Sequence, residues 1–394
     1  MEKKVQKQLK DLNVAIVTHT RTTGLSQFLK DWLLNKTKKL VFIGHPLYPS
    51  TESNSLMEIY EKGALKKNYN SPFIFKSGIL LYIKDAFLTF YFFLKMGSKI
   101  DIAVGVNNLN TAALLLLKKM NFIKKVVYHT VDYAPIRFEN KLLNNVYHAI
   151  DKWCCYNADI LWNSSGRMNE GRIKNGMDKN KIAKTIITPD GSNFDPEKRL
   201  GISEIDRKMV VFLGHLRERL GLELLVESFS DVVAFVKDAK LLIIGDGPLL
   251  NKLKNMVKEL KISKNVEFTG FIERHSDVDN KLRKAAIGIA VFEPDKNSYE
   301  YYSDAGKPKV YLAAGLPVVI TKVPEIADEI DAKKAGFAIE YDKKELAKAI
   351  VTLLKNDKLY EDYRKNAIEL SKKYIWNSLF YEAFSQTLKH FKKN

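Results

Sequence analysis

The feature that most constrains this chain is a repeated alternation of short β-branched runs with helical stretches. Such alternation builds strand–helix–strand units whose strands lie parallel. In the first half the runs fall at Asn13–Thr18, Leu40–Gly44, Asp101–Gly105, Val126–His129, Asp159–Trp162 and Thr185–Thr188. Helical patterns over Leu25–Asn35, Asn110–Met120 and Asn140–Asn157 lie between several of them. The stretch 189–203 (PDGSNFDPEKRLGIS) is rich in Pro, Gly, Ser and charge, and it reads as a linker. Beyond it the alternation restarts with Met209–Leu213, Lys240–Ile244, Val266–Thr269, Ile287–Phe292 and Pro317–Thr321. The expectation is an α/β protein of two domains, 1–190 and 204–373, hinged near 189–204 and followed by a last segment, 374–394.

Apolar residues make up 46% of the chain and charged residues 28%, which excludes a disordered protein. The two cysteines, Cys154 and Cys155, are adjacent, so a disulfide framework is excluded and a reducing compartment is expected. The first residues, MEKKVQKQLKDLN, lack the apolar core of a signal peptide, and a cytoplasmic location is expected. Charge is uneven: residues 1–200 hold 31 Lys and Arg against 17 Asp and Glu, leaving only +4 of the formal +18 to the rest. A basic half points to an anionic partner, either nucleic acid or an anionic membrane surface. Nucleic acid is set aside because the lysines are dispersed, without an aromatic-interleaved binding motif. Gly78–Leu94 is apolar apart from Lys84 and Asp85, short for a span, with two charges that oppose insertion. It reads as a buried helix, with docking on a bilayer through Lys76, Lys84, Lys95 and Lys99 as the alternative.

Chemistry concentrates in the second half. Strand Met209–Leu213 runs into Gly214-His215-Leu216-Arg217-Glu218-Arg219-Leu220-Gly221 and then a helix. A glycine turn leading to a helix N-terminus offers free N–H groups to a phosphate, and Arg217 and Arg219 add charge-assisted bonds. The next strand ends in Gly245-Asp246-Gly247-Pro248, which again turns into a helix. Ligands of open α/β sheets sit outside the carboxyl ends of the strands, so both turns would share one crevice.

Together with Val266–Ile272 and Lys307–Val319, this ordered set resembles the C-terminal domain of family 4 glycosyltransferases. The resemblance implies the GT-B architecture, two Rossmann-like domains facing each other across a cleft. The C-terminal domain would bind a nucleotide diphosphate sugar, with a UDP-sugar favoured over a GDP-sugar, and the N-terminal domain a glycan or lipid-linked acceptor. The last helix would pack back toward the N-terminal domain. By the same resemblance Gly214, Arg217 and Arg219 fall at the diphosphate, Phe271 and Ile272 at the base, and Lys307 and Tyr311 at the ribose and donor sugar, with His215, Gly245, Asp246 and Gly247 as further donor-binding residues. Retention of anomeric configuration and no metal or other cofactor are implied. Three positions depart from the family pattern: Leu220 stands where a Lys is common, and Tyr302 and Val310 replace two glutamates. Glu293, Asp295, Glu300 and Asp304 are the nearby substitutes.

In the first half, strand Asn13–Thr18 empties into His19-Thr20-Arg21-Thr22-Thr23-Gly24 and a helix. That turn suits an acceptor, with Arg21, Thr22 and Gly24 as its contacts, and equally a plain turn capped by Thr23. The strand end Val126–Pro135 carries His129 and Asp132, which the resemblance puts against the donor sugar as catalytic groups. No zinc spacing, nucleophile elbow or Walker loop occurs. The expected function is hexosyl transfer to an acceptor hydroxyl in glycan or polysaccharide assembly, by a protein peripheral to the cytoplasmic membrane. A sugar-nucleotide epimerase of the same architecture and a non-catalytic basic binding protein are the alternatives.

Overall fold

The structure is a computed structural model that describes residues 1–19, 24–46, 54–71 and 78–392. It divides into two compact units, Met1–Pro189 with Trp376–Asn394, and Asp190–Ile375.

The first unit begins with α1 (Glu2–Leu9), β1 (Asn13–Thr18), α2 (Leu25–Leu33) and β2 (Lys39–Gly44). A hairpin, β3 (Leu56–Glu61) and β4 (Ala64–Asn70), leads to α3 (Gly78–Met96). Then come β5 (Ile100–Val106), α4 (Asn108–Lys119), β6 (Ile123–Thr130), α5 (Lys141–Asn157), β7 (Ile160–Asn163), α6 (Arg167–Lys174) and β8 (Thr185–Ile187). The sheet runs β4-β3-β2-β1-β5-β6-β7-β8, parallel except for the hairpin strands. Its direction of winding reverses between β1 and β5, which makes that junction the topological switch point. Alternate strand residues feed two cores. Ala15, Val17, Val41 and Ile43 face helices α3 to α5, while Val14, Ile16, Leu40 and Phe42 face α1, α2 and the chain's last helix.

The second unit holds β9 (Met209–Leu213), α7 (Leu222–Phe235), β10 (Lys240–Ile244), α8 (Leu250–Glu259), β11 (Val266–Gly270), α9 (His275–Leu282) and β12 (Ile287–Ala290). It continues with α10 (Tyr299–Tyr302), α11 (Gly306–Ala314), β13 (Val318–Thr321), α12 (Ile326–Ala332), β14 (Gly336–Ile339), α13 (Lys343–Lys355) and α14 (Asp357–Ser371). Its sheet, β11-β10-β9-β12-β13-β14, is wholly parallel and has the strand order of a Rossmann fold. Strands such as Lys240–Ile244 are buried on both faces after the first residue, as a helix-covered parallel sheet demands.

The segment expected as a linker is bonded into the second unit. Arg199 Nε donates to Ala313 O at 2.6 Å, Arg364 Nη2 to Leu200 O at 2.7 Å, and Ser192 N to Tyr374 O at 2.8 Å. After Ile375 the chain returns to the first unit as α15 (Trp376–Phe391). There Phe384 stacks on Trp32 at 5.4 Å and meets Trp162 edge-on at 5.1 Å, and Trp162 Nε1 donates to Thr387 Oγ1 at 2.9 Å. Phe384 is fully buried. Phe384→Ala is expected to cost the first unit about 3–5 kcal/mol, read from chemical denaturation, whereas exposed Phe235→Ala stays within about 0.5 kcal/mol.

Candidate functional site

Three strand ends of the second unit are tied into one surface by backbone bonds. Gly214 N donates to Ile244 O at 2.9 Å, Gly245 N to Gly270 O at 3.1 Å, and Leu216 N to Asp246 O at 2.9 Å. His215 Nδ1 lies 2.7 Å from Asp246 O, and Gly247 N donates to Asp246 Oδ1 at 2.7 Å. Backbone approaches backbone so closely that a Cβ on Gly245 would stand 1.9 Å from Gly214 O. A Cβ on Gly214 would stand 2.1 Å from Lys307 Nζ, so the lysine ammonium lies directly against the turn. Gly214 and Gly245 also hold φ of 155° and 140°, values that L side chains rarely adopt.

Charge gathers at this edge. Arg217 Nη2 pairs with Glu300 Oε1 at 2.9 Å and bonds the Tyr299 hydroxyl. Burial, then the charge of Arg217, lowers the Lys307 ammonium to a pKa of about 8, with Glu300 opposing the shift. Glu300 is 5% exposed, and its second oxygen, Oε2, has no hydrogen-bond partner. A buried carboxylate oxygen without a donor is costly, and here it lies within reach of two cations. Of the four acids expected as substitutes, Asp295 pairs with Arg219 and Asp304 with Lys309, while Glu293 bonds Tyr341. Glu300 is the one whose burial leaves an oxygen unbonded beside Arg217.

The donor-side residues therefore separate into groups. Gly214, His215, Arg217, Gly245, Asp246, Gly247 and Lys307 come together at the strand ends. Arg219 adopts positive φ and turns to Asp295 at 3.0 Å. Phe271 is 77% exposed beside half-buried Ile272, just past β11. Tyr311, expected to face ribose, is fully buried: its hydroxyl accepts from Leu213 N at 2.7 Å and its ring fills the space over Gly288. Tyr311 thus holds the β9 end in place from below. Tyr302 is buried and Val310 packs against the core.

In the first unit His129 and Asp132 do not meet. His129 is fully buried with no partner for either ring nitrogen, packs edge-on to Trp162 at 5.6 Å, and burial lowers its pKa to about 3. Asp132 pairs instead with Arg137 at 2.8 Å. Gly24, with φ of 102°, precedes the first turn of α2, while Arg21 and Thr22 lie outside the described residues.

A polar cluster not anticipated from sequence lies at the β1 and β2 ends. Asp85 on α3 pairs with Lys84 at 2.9 Å, His45 at 3.4 Å and His19 at 3.4 Å. Asn110 Nδ2 reaches His19 Nδ1 at 2.9 Å, and His45 bonds Ser55 and Thr89, each at 2.9 Å. Burial pushes the Asp85 carboxyl up, but His19, His45 and Lys84 outweigh it and hold it below the usual carboxylate range. His45 is driven down to about 3, first by burial. The only sequence signal was a histidine just past each of two neighbouring strands.

Two α/β units, the second with Rossmann strand order and close glycine turns at its strand ends, make up the GT-B fold. Residues 207–356 match the family described as Glycosyl transferases group 1. The chain resembles in structure the sucrose-phosphate synthase of Thermosynechococcus elongatus, with a TM-score of 0.72 at 14% identity over 98% of this chain and 100% of that one. It also resembles the Anabaena protein HepE, solved in complex with UDP, with a TM-score of 0.67 at 12% identity over 96% and 100% of the two chains. In sequence it is 26% identical to the alpha-monoglucosyldiacylglycerol synthase of Streptococcus pneumoniae, over 54% of this chain and 46% of that protein. It is 34% identical to a GDP-mannose-dependent phosphatidylinositol monomannoside mannosyltransferase of Mycolicibacterium smegmatis, over 37% and 39% of the two. The matched stretch thus spans less than half the length of these curated relatives.

Gly245→Ala is expected to disrupt the strand-end turn, since its Cβ would collide with backbone. Gly270→Ala meets nothing within 4 Å and carries only left-handed strain, about 1–2 kcal/mol. Urea unfolding of the two variants should therefore rank Gly245→Ala well below Gly270→Ala.

Proposed function

We propose that this protein is a glycosyltransferase that moves a sugar from a nucleotide diphosphate sugar to an acceptor hydroxyl, with retention, in glycan or polysaccharide assembly. The observation that carries the reading is the set of Arg217, Lys307 and Glu300 at the edge of the Gly214–Gly245 turns. As the glycosidic bond breaks, positive charge grows on the anomeric carbon and negative charge on the leaving diphosphate. Prearranged N–H dipoles and cations stabilise that charge without reorganising. In this proposal Arg217 and Lys307 hold the diphosphate against the glycine turns, whose amides at Gly214, Gly245 and Gly247 are spent on bonds within the turns. Glu300 Oε2 takes a donor hydroxyl, filling the role left open by Tyr302 and Val310. Gly24 belongs to the acceptor side, and Asp132 stays the catalytic candidate at the β6 end, with His129 as a neutral ring behind it. The resemblance to relatives that handle UDP and GDP-mannose supports a nucleotide sugar, and we favour the UDP form. The basic first 200 residues support a peripheral position on an anionic membrane surface at the cytoplasmic side, facing a glycan or lipid-linked acceptor.

Thermal melting with UDP, GDP, ADP and their common sugar conjugates tests the donor class. A ligand at about 100 times its Kd adds about 2.7 kcal/mol of stability, and Arg217→Ala and Lys307→Met should each remove most of the shift. No shift with any nucleotide would overturn the reading. Glu300→Gln should keep the shift with the bare diphosphate while losing the increment that the attached sugar adds.

The Lys307 ammonium supplies a pH test. With its pKa at about 8 in the free protein, the charged form dominates at pH 7 and falls away above 8. A bound diphosphate favours the charged form, so affinity is highest below the free pKa and declines as pH rises through it. Titration calorimetry with the sugar nucleotide should give a Kd steady near pH 7 that weakens by up to about tenfold per unit above 8, a dependence absent in Lys307→Met.

A further inference from the structure

Helix α3 is buried on one side only. Leu88, Phe92 and Phe93 enter the sheet core, Leu81 is buried, and the two charges of its middle, Lys84 and Asp85, turn inward and pair. Outward stand Leu80, Ile83, Phe87, Tyr91 and Leu94, exposed by 56, 61, 65, 45 and 61%. Their spacing of three, four, four and three residues keeps them on one stripe, about 21 Å long at 1.5 Å per residue. Scattered exposed apolar residues are ordinary, but a continuous stripe with aromatic members marks an interaction surface.

The rim of the stripe is basic. Lys95 is exposed at the helix end, 4.2 Å from the Tyr69 ring and 5.6 Å from that of Tyr91. Lys67 of the edge strand β4 is exposed in register with Ile59, whose side chain enters the same core as α3. The only acid of α3 is the buried Asp85, so its outward face carries no carboxylate. At the other end, the loop after β6 brings Arg137 within electrostatic reach of Tyr82, with exposed Ile136 and Phe138 on either side of it. A second copy of the chain would set positive charge against positive charge, whereas an anionic lipid surface matches both the apolar stripe and its rim. Among the described residues no helix is long and apolar enough to cross a membrane, so this helix would lie in the interface plane.

We infer that the outer face of α3 is the membrane-docking surface: Leu80, Ile83, Phe87, Tyr91 and Leu94 enter the acyl boundary while Lys67 and Lys95 meet anionic headgroups. This rests on the membrane part of the proposed function and names the surface responsible for it.

The test is co-sedimentation of the full chain with phosphatidylcholine vesicles, with and without roughly 30 mol% phosphatidylglycerol. The expected result is pelleting with the anionic vesicles, weakened by salt, and reduced about tenfold or more in Ile83→Ser/Phe87→Ser and in Lys67→Glu/Lys95→Glu. These side chains are exposed, so melting temperature and the nucleotide-induced shift should stay at wild-type values in both variants. If the wild-type chain does not pellet with anionic vesicles, the membrane reading and this inference fall together. If it pellets but both variants pellet equally well, membrane association stands and this surface is overturned. A wild-type dimer in light scattering that Phe87→Ser dissociates, with vesicle binding unchanged, would also overturn it in favour of self-association.

Discussion

Everything distinctive about the second unit depends on how closely its backbone segments approach at the strand ends. The turn after β10 lies against the turn after β9 with no room for a Cβ between Gly245 and the Gly214 carbonyl. That contact ties consecutive turns to one another through their amides and leaves space for the Lys307 ammonium against Gly214. Tyr311 supports the arrangement from inside by bonding the last amide of β9. The edge is therefore built from main chain, and the side chains that give it charge, Arg217, Lys307 and Glu300, are additions to a rigid frame.

Arg217 illustrates how that frame is kept before any ligand arrives. Its guanidinium is held by Glu300 and Tyr299, so the cation is oriented and partly neutralised. A phosphate would compete with a carboxylate that already satisfies the same N–H groups. The energetic gain on binding is then the difference between two ion pairs, smaller than the worth of either pair alone.

The α/β class and the family resemblance were legible because both rest on patterns that the backbone enforces. Strand–helix alternation fixes parallel sheets, and glycines at strand ends mark turns where backbone approaches backbone. The β3–β4 hairpin was not legible, because β4 (ALKKNYN) is exposed along nearly its whole length and has no apolar alternation to read. Burial of individual side chains was equally hidden. Lys84 and Asp85 counted as charges that oppose insertion of α3, yet they face inward, and an outward face is apolar. Position within a motif likewise put Tyr311 beside a ligand, whereas its side of α11 puts it beneath β9. Glu300 sits in an acidic, tyrosine-rich stretch that reads as solvated, and only the fold reveals its burial. The linker reading of 189–203 has the same origin, since Pro, Gly and charge describe a surface segment whether or not its backbone is bonded to a neighbour.

The last helix gives the first unit a discontinuous chain. One face of its sheet, with Trp32 and Trp162, is covered by α15, which follows the whole of the second unit in sequence. During synthesis the second unit, continuous from Asp190 to Ile375, can complete its core while the first still exposes two tryptophans to water. The second core can thus be complete before the first, and the nascent chain carries an open aromatic surface until α15 leaves the ribosome.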